Sequence, residues 1–242
     1  MKVYIRCGSD GLPSNCNMYN AYQGFHEMGF ETIMFDKWEQ LAKSCIEDVV
    51  VGYVGTVRGR LREFGIDAQE INYPEELRPY LRRKLWYSKI DTINAHPEYW
   101  PVFVKPVEGK KFVGTVVRSP KDLIGCGSCY DNADVICSEV LTFRTEWRVF
   151  VRYDNILDVR PYKGDWHVQY DPHVIEEAVA AYKSAPAGYA ADFAVTDRGE
   201  TVLVEVNDGY SLGCYGLLHI YYAKLLSARW AELTGTEDEC NF

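Results

Sequence analysis

Short apolar runs alternate with amphipathic stretches over the first third of the chain. The apolar runs are bounded by Gly, Pro or Asn and predict strands, whereas the longer mixed stretches between them predict helices. Strands separated by helices of this length favour βαβ units in a mostly parallel sheet. Strands are predicted at residues 2–6, 31–35, 48–54 and 67–72, and helices at residues 17–28, 39–44 and 58–64.

The pattern changes after a Pro-containing segment at residues 74–79. Residues 80–94 place apolar side chains at helical spacing among basic ones, which predicts a basic amphipathic helix. Its basic face suits solvent and a phosphate group equally well. From residue 102 onward strands dominate, so a domain boundary is predicted near residue 80. Strands are predicted at residues 102–106, 112–117, 135–141, 146–152 and 156–160, and helices at residues 174–183 and 217–233.

Two apolar strands at residues 190–195 and 201–207 flank an Asp-Arg-Gly turn and predict a β-hairpin. If the hairpin closes symmetrically, Asp192 lies directly opposite Glu205, and Asn207 projects on the same face as Glu205. Opposed carboxylates need a compensating cation, and carboxylate and amide oxygens suit Mg²⁺ or Mn²⁺ better than Zn²⁺. A solvated acidic face is the alternative, but the apolar surroundings of these acids favour the metal site.

Composition narrows the class of protein. The chain has 242 residues, a formal net charge of −9 and a pI near 5.1, which argue against a general nucleic-acid-binding protein. It contains no apolar run long enough for a transmembrane helix and starts with a strand pattern instead of a signal peptide, so a cytoplasmic location is expected. Eight cysteines are then expected to be reduced. Cys126 and Cys129 form a CxxC pair, but no second ligand pair or thioredoxin-like context supports a zinc or redox role.

Cationic residues accompany the acidic hairpin. Lys105 lies in an apolar strand, Glu146 and Arg148 share a second strand, and Arg160 ends a third. Buried cations beside a metal-binding acidic cluster suit a nucleoside triphosphate. The P-loop motif is absent from the sequence. Arg148 and Arg160 could alternatively serve only as ion-pair partners of Glu146 or Asp158.

The order of these motifs resembles the ATP-grasp superfamily. Phe-Val-Lys105-Pro, Ser138-Glu139-Val-Leu141, Glu146-Trp-Arg148 and Glu205-Val-Asn207 follow each other as in that superfamily, and they are most similar to its R2K clade. The resemblance covers about residues 80–230. It implies a mixed α/β (α+β) chain in which an ATP-grasp domain follows a small α/β domain. The implied domains are residues 1–80 and 81–242, the latter divided into subdomains of about 81–138 and 139–242.

The resemblance also implies roles for individual residues. Lys105 would hold the α- and β-phosphates, Lys89 would be the first lysine of the family, and Glu146 would bind the ribose. Asp192, Glu205 and Asn207 would bind Mg²⁺, with Mn²⁺ as a substitute. The linker that meets adenine would comprise Ser138, Glu139, Val140 and Leu141. Basic positions assigned to the γ-phosphate or the activated substrate are Lys111, Arg148 and Arg160, with one of Arg82 and Arg83 as a further candidate.

The implied activity is that of an ATP-dependent carboxylate-amine ligase. A substrate carboxylate would be activated as an acylphosphate and then joined to an amine, with release of ADP and phosphate. The expected partners are a small molecule or peptide that carries the carboxylate and an amine acceptor, whose identities the sequence does not encode. The alternatives are a nucleotide-binding regulatory module without turnover and a CxxC redox protein.

Overall fold

The computed structural model describes residues 1–71, 73–107, 112–126 and 131–242. Its N-terminal part is a three-stranded parallel sheet with helices between the strands, as the alternating pattern predicts. The strand order is β2-β1-β3, so β1 lies in the centre and both connections are crossovers. The elements are β1 (Lys2–Arg6), α1 (Cys16–Glu27), β2 (Glu31–Phe35), α2 (Trp38–Leu41), β3 (Val49–Val51) and α3 (Val54–Glu63).

The strand predicted at residues 67–72 is wrong over residues 67–71, which form no strand, while position 72 lies outside the described residues. The polar side chains there find partners other than a strand neighbour. Gln69 donates to Asp67, and Glu70 forms an ion pair with Arg58 of α3. Ala68 is the buried side chain of this stretch, so little apolar surface is available to hold it against the sheet.

The basic helix predicted at residues 80–94 is also wrong. Helix α4 (Arg78–Leu81) ends at Arg82, whose φ of 51° is left-handed, and β4 (Leu85–Lys89) and α5 (Ile90–Ala95) follow. The helical spacing of the apolar residues is a coincidence, because Leu81 packs in one core and Ile93 in another. Trp and Tyr in β4 favour a strand, and pairing with a neighbouring strand overrides the local helix preference.

Two four-stranded antiparallel sheets make up the rest of the chain. Their orders are β4-β7-β5-β6 and β11-β10-β8-β9. The strands predicted from residue 102 onward are all present; β5 has the predicted ends, and the ends of the others are shifted. The strands are β5 (Val102–Pro106), β6 (Thr115–Val117), β7 (Asp134–Ser138), β8 (Phe143–Arg152), β9 (Asn155–Gly164), β10 (Gly188–Thr196) and β11 (Thr201–Asp208). The remaining helices are α6 (Pro172–Ala181) and α7 (His219–Thr234), and short 3-10 turns lie at Glu75–Leu77, Pro97–Tyr99 and Pro120–Leu123.

The largest apolar core joins the two ends of the chain. Val3 of β1, Val50 of β3, Phe25 of α1 and Trp230 of α7 are fully buried together. Helix α7 lies so close to α1 that a Cβ at Gly24 would stand 2.1 Å from the carbonyl oxygen of His219. The domain boundary proposed near residue 80 stays a prediction.

Among the described residues, no helix has both the length and the apolar character needed to cross a bilayer.

Candidate functional site

A β-bulge in the β10-β11 hairpin brings the predicted acids together. Asp192 faces Glu205 across the hairpin, as predicted, but the adjacent pair is Phe193 with Leu203, so Val204 is an extra residue in β11. The turn itself closes through Thr196 and Glu200, one residue away from the symmetric closure on which the prediction rested. The predicted opposition of the two carboxylates is confirmed, and the bulge is its structural cause.

Asp192 forms a two-point ion pair with Arg148 of the neighbouring strand β8. Nε and Nη2 of Arg148 donate to the two carboxylate oxygens, each at 2.7 Å. Both side chains are almost completely buried, at 7% and 2% exposed. Burial raises the pKa of the Asp192 carboxyl, and the hydrogen bonds from Arg148 oppose that rise. The cation expected beside Asp192 is therefore supplied by the chain itself.

Glu205 has a different cation. Nζ of Lys105 lies 3.4 Å from Oε2 of Glu205 and 4.5 Å from the centroid of the Tyr73 ring. Asn207 bridges back to the first pair, because its Nδ2 donates to Oδ2 of Asp192 at 3.1 Å. The three predicted metal ligands are thus contiguous, with Lys105 at one side of them. Their roles as metal ligands stay a prediction.

A stacked pair of tyrosine rings packs against Arg148. Its guanidinium carbon lies 4.7 Å from the ring centroid of Tyr215 and 5.8 Å from that of Tyr162, and the rings stack 4.9 Å apart. Tyr215 has a φ of 40°, a left-handed backbone that residues with a side chain rarely adopt. Nη1 of Arg148 reaches the carbonyl oxygen of Gly213 at 3.4 Å. The loop at residues 209–216 therefore contacts this arginine through Gly213 and Tyr215.

Glu146 lies in β8 and is held by two residues of β9. Oη of Tyr162 donates to one carboxylate oxygen at 2.8 Å, and Nζ of Lys163 lies 2.5 Å from the other. Burial, together with the nearby acids Asp192 and Glu146, raises the pKa of Tyr162 well above its ordinary value. Tyr162 is therefore a hydroxyl donor that connects Glu146 to the Arg148 cluster.

A cavity of about 1010 Å³ opens between the N-terminal sheet and the hairpin. Of the predicted site residues it contains Lys105, Arg148, Glu205 and Asn207, whereas Asp192 lies behind its wall. The sequence reasoning missed several polar lining residues of this cavity. They are Asn15, Asn17, Tyr53 and Tyr215. The glycines at 209, 213 and 216 were the one available signal, since they mark a loop that can approach a ligand closely.

Other predicted residues lie away from this cavity. Lys89 pairs with Asp134 at 2.9 Å on the exposed end of β4, and Arg160 pairs with Asp158 at 2.6 Å. Neither residue lines the cavity. Lys111 lies outside the described residues. Among the residues that are described, no group of three His, Cys, Asp or Glu side chains could hold a metal, so the candidate site consists of two acids and an amide.

The linker at residues 138–141 connects β7 to β8 and hence joins the two antiparallel sheets. Glu139 is fixed to the preceding segment: its N–H donates to the carbonyl oxygen of Lys84 at 3.1 Å, and its carboxylate accepts from the N–H of Lys84 at 2.7 Å. Ser138 donates to the carbonyl oxygen of Glu139 at 3.1 Å. These bonds hold the linker between Lys84 and the start of β8.

Cys126 is the described member of the CxxC pair, and Cys129 lies outside the described residues. The Cys126 thiol is buried, and burial raises its pKa. A reactive redox thiol needs the opposite shift. This observation counts against the redox alternative.

The family profile described as ATP-grasp domain, R2K clade family 2, matches residues 80–225 of the sequence. The chain belongs to this ATP-grasp family. The matched region contains the whole constellation of Lys105, Arg148, Asp192, Glu205 and Asn207. No curated protein was found to match the sequence.

Solved structures of ATP-grasp ligases share the fold of the whole chain. D-alanine–D-alanine ligase from Bacillus anthracis is 16% identical, with 96% of this chain and 97% of that one covered and a TM-score of 0.58. N5-carboxyaminoimidazole synthetase from Staphylococcus aureus is 12% identical, with 98% and 77% covered and a TM-score of 0.61. The ATP-grasp ligase PsnB, complexed with a minimal precursor, is 15% identical, with 95% and 98% covered and a TM-score of 0.52. The fold is therefore that of an ATP-grasp ligase, as the motif order implied.

Proposed function

We propose that this chain is an ATP- and Mg²⁺-dependent ligase that activates a substrate carboxylate as an acylphosphate and joins it to an amine. The observation that carries the proposal is the convergence of Lys105, Arg148, Glu205 and Asn207 on one cavity of an ATP-grasp chain. Two cations and two oxygen donors at one wall suit the phosphate chain of a nucleotide. The cavity is larger than the phosphates alone require, which leaves room for a second substrate.

The nucleotide would lie along the junction of the two antiparallel sheets. Lys105 would contact the α- and β-phosphates, and Glu146 the ribose hydroxyls. The linker at residues 138–141 would meet adenine through its backbone. In the described part of the chain, the peptide N–H groups of Val140 and Leu141 donate to no other backbone group, so they are free for the base.

The donor set fits Mg²⁺. Glu205 is 37% exposed and lines the cavity with Asn207, and hard oxygen donors are what Mg²⁺ prefers. When bound, the ion would neutralise charge on the phosphates. Asp192 would support this site from behind, since both of its oxygens accept hydrogen bonds from Arg148. PsnB has been solved with Mg and ADP, and the Bacillus anthracis ligase with ATP.

The reaction requires positioning and charge more than a nucleophilic side chain. A carboxylate oxygen of the substrate would attack the γ-phosphorus, and ADP would leave. The amine would then attack the acyl carbon, lose its proton and displace phosphate. Arg148 would lie where negative charge develops, and its burial would strengthen its interaction with the transferred group.

The carboxylate substrate would occupy the N-terminal side of the cavity. Tyr53, Arg58 and Arg62 line that side, opposite Lys105 and Glu205. The structural relatives include a D-alanine ligase and a ligase complexed with a peptide precursor. An amino acid or a peptide is therefore the first class of substrate to test.

A nucleotide-binding module without turnover is the second candidate. The closed ion pair between Arg148 and Asp192 favours it, because Arg148 already balances the charge that a metal would balance. ATP binding with no product from any carboxylate and amine would support this alternative.

The test is a screen of amino acids and peptides, in pairs of carboxylate and amine, for release of ADP. Lys105→Met is the matched blank, because Lys105 lies at the cavity and its loss strands only the partly exposed Glu205. Asp192→Asn is less suitable, since it leaves the buried Arg148 without a counterion. ADP and phosphate that require both substrates are expected. AMP as the product would contradict the acylphosphate route.

A further inference from the structure

The bulge at Val204 decides which face of β11 carries Glu205. In a regular strand, residues three apart lie on opposite faces. Leu203 and Val206 nevertheless pack in the same apolar core, opposite Phe193 and Ala191, because Val204 is the extra residue between them. Without the bulge, Val204 would face Asp192, and Glu205 would point away from the site.

Arg83 holds the two carbonyl groups of this bulge. Its Nη1 donates to the carbonyl oxygen of Leu203 at 2.7 Å, and its Nη2 donates to that of Val204 at 2.9 Å. A third bond, from Nη1 to the carbonyl oxygen of Leu81 at 3.1 Å, fixes the guanidinium to the end of α4. Because β11 is an edge strand of its sheet, no strand in the described part of the chain lies beside it to satisfy these carbonyls.

Burial of the Arg83 guanidinium costs hydration free energy. Burial lowers the pKa of its guanidinium, against the opposing effects of Tyr73 and Glu205. Within residues 1–71, 73–107, 112–126 and 131–242, no carboxylate forms an ion pair with it. Tyr73, whose ring supports Lys105, lies beside it. A cation buried against backbone carbonyls fixes geometry, at the expense of its own hydration.

We propose that Arg83 is a positioning residue that holds the Val204 bulge and thereby keeps Glu205 and Asn207 on the metal-binding face of the hairpin. The inference rests on the proposed function for its effect on metal binding. The claim that Arg83 holds the bulge rests on its hydrogen bonds alone and does not depend on the proposed function. Arg83 touches neither substrate nor metal in this role.

The first experiment measures metal binding and backbone protection in Arg83→Met. Mn²⁺ affinity in the presence of ATP, followed by electron paramagnetic resonance, is expected to fall about tenfold, as for other residues that orient metal ligands. ATP affinity without metal should stay within about twofold, because Arg83 makes no nucleotide contact in this role. Hydrogen exchange of the amides of Glu205 and Val206 should become faster. Arg198→Met is the matched control, since Arg198 is an exposed arginine in the turn of the same hairpin, and it should change none of these quantities.

The second experiment separates the bulge from any other role of Arg83. Deletion of Val204 leaves Glu205 opposite Asp192 in a regular ladder, so the hold on the bulge becomes unnecessary. In that background, Arg83→Met should cost less than about twofold in Mn²⁺ affinity, as expected for sites that no longer share an interaction. An equal loss in both backgrounds would overturn the proposal.

Failure of the proposed function and failure of the Arg83 proposal would give different results. If the wild-type chain binds neither Mn²⁺ nor ATP, the proposed function is wrong. Hydrogen exchange at Glu205 and Val206 still tests the hold on the bulge in that case, and unchanged exchange in Arg83→Met would reject it. If Arg83→Met fails to fold, Arg83→Lys takes its place, because it retains the charge but loses the two-point hydrogen bond. Hydrogen exchange at the same amides then tests whether that bond holds the bulge.

Discussion

Arg148 and Asp192 face each other across β8 and β10 and join through two hydrogen bonds of 2.7 Å each. Both are buried, so each depends on the other for compensation of its charge. The pair occupies the centre of the β11-β10-β8-β9 sheet, with Arg148 at the cavity wall and Asp192 behind it. Changes to this pair should therefore affect stability and activity together.

Arg148→Met should lower the free energy of unfolding by about 3–5 kcal/mol at neutral pH, because it leaves the Asp192 carboxylate buried without a partner. Urea denaturation measures the change. The loss should shrink as the pH falls, since burial raises the pKa of Asp192 and protonation removes the stranded charge. Arg160→Met is the control. It breaks the partly exposed pair with Asp158 and should cost less than about 1 kcal/mol.

Asn207→Asp should make stability depend on divalent metal. The new carboxylate would lie where Nδ2 now donates to Asp192 at 3.1 Å, and opposed like charges destabilise a sheet by up to about 1 kcal/mol. With EDTA, the melting temperature should fall by about 2–4 °C. Mg²⁺ at millimolar concentration should restore it. Asn207→Leu should be destabilised without any response to Mg²⁺, and equal responses of the two variants would refute metal binding at this position.

Two helical glycines should respond to alanine in opposite directions. A Cβ at Gly24 in α1 would meet the carbonyl carbon and oxygen of His219 at 2.7 and 2.1 Å, which forces α1 and α7 apart. Gly24→Ala should destabilise the chain by about 1–3 kcal/mol. A Cβ at Gly55 in α3 meets nothing within 4 Å, so Gly55→Ala should stabilise it by up to about 1 kcal/mol. Thermal unfolding of both variants checks the difference, and a stabilised Gly24→Ala would contradict the packing of α1 on α7.

Stability should fall above pH 9 in reducing buffer. Burial raises the pKa of Cys137 from 9.0 to about 11, so between these values the unfolded chain has lost the thiol proton while the folded chain retains it. Each such thiol makes the free energy of unfolding fall by about 1.4 kcal/mol per pH unit in that window. In urea titrations at pH 8–11, Cys137→Ala should reduce the pH dependence of the free energy of unfolding by the equivalent of one proton. An unchanged slope in Cys137→Ala would contradict this prediction.

The opposition of Asp192 and Glu205 was predicted from regular alternation about a symmetric turn. The turn closes one residue away from the assumed position, and the bulge at Val204 offsets that difference, so the predicted pairing is correct although its assumed cause is not. Lys105 could also be predicted as a site residue, because a lysine is unusual in an apolar strand. Each of these features is encoded within a single strand or hairpin.

Other features depend on which strands become neighbours. Arg148 pairs with Asp192 and not with Glu146, because β10 lies beside β8, and no local pattern encodes that adjacency. Arg83 was considered only as a candidate for the γ-phosphate or the substrate, for a related reason: its hydrogen-bond partners are backbone carbonyls 120 and 121 residues away. The helix predicted over β4 failed because helical spacing of apolar residues does not show that they share one core.

The core shared by α1, α7 and the N-terminal sheet limits how this chain can be divided. The family match ends at residue 225, inside α7, whereas Leu226 and Trp230 of the same helix are buried in the core that includes β1 and β3. A fragment trimmed to that match would lose half of its last helix and the sheet that covers it. Exchanging N-terminal segments between relatives, as a route to new substrates, would thus have to preserve the seam where Gly24 meets His219.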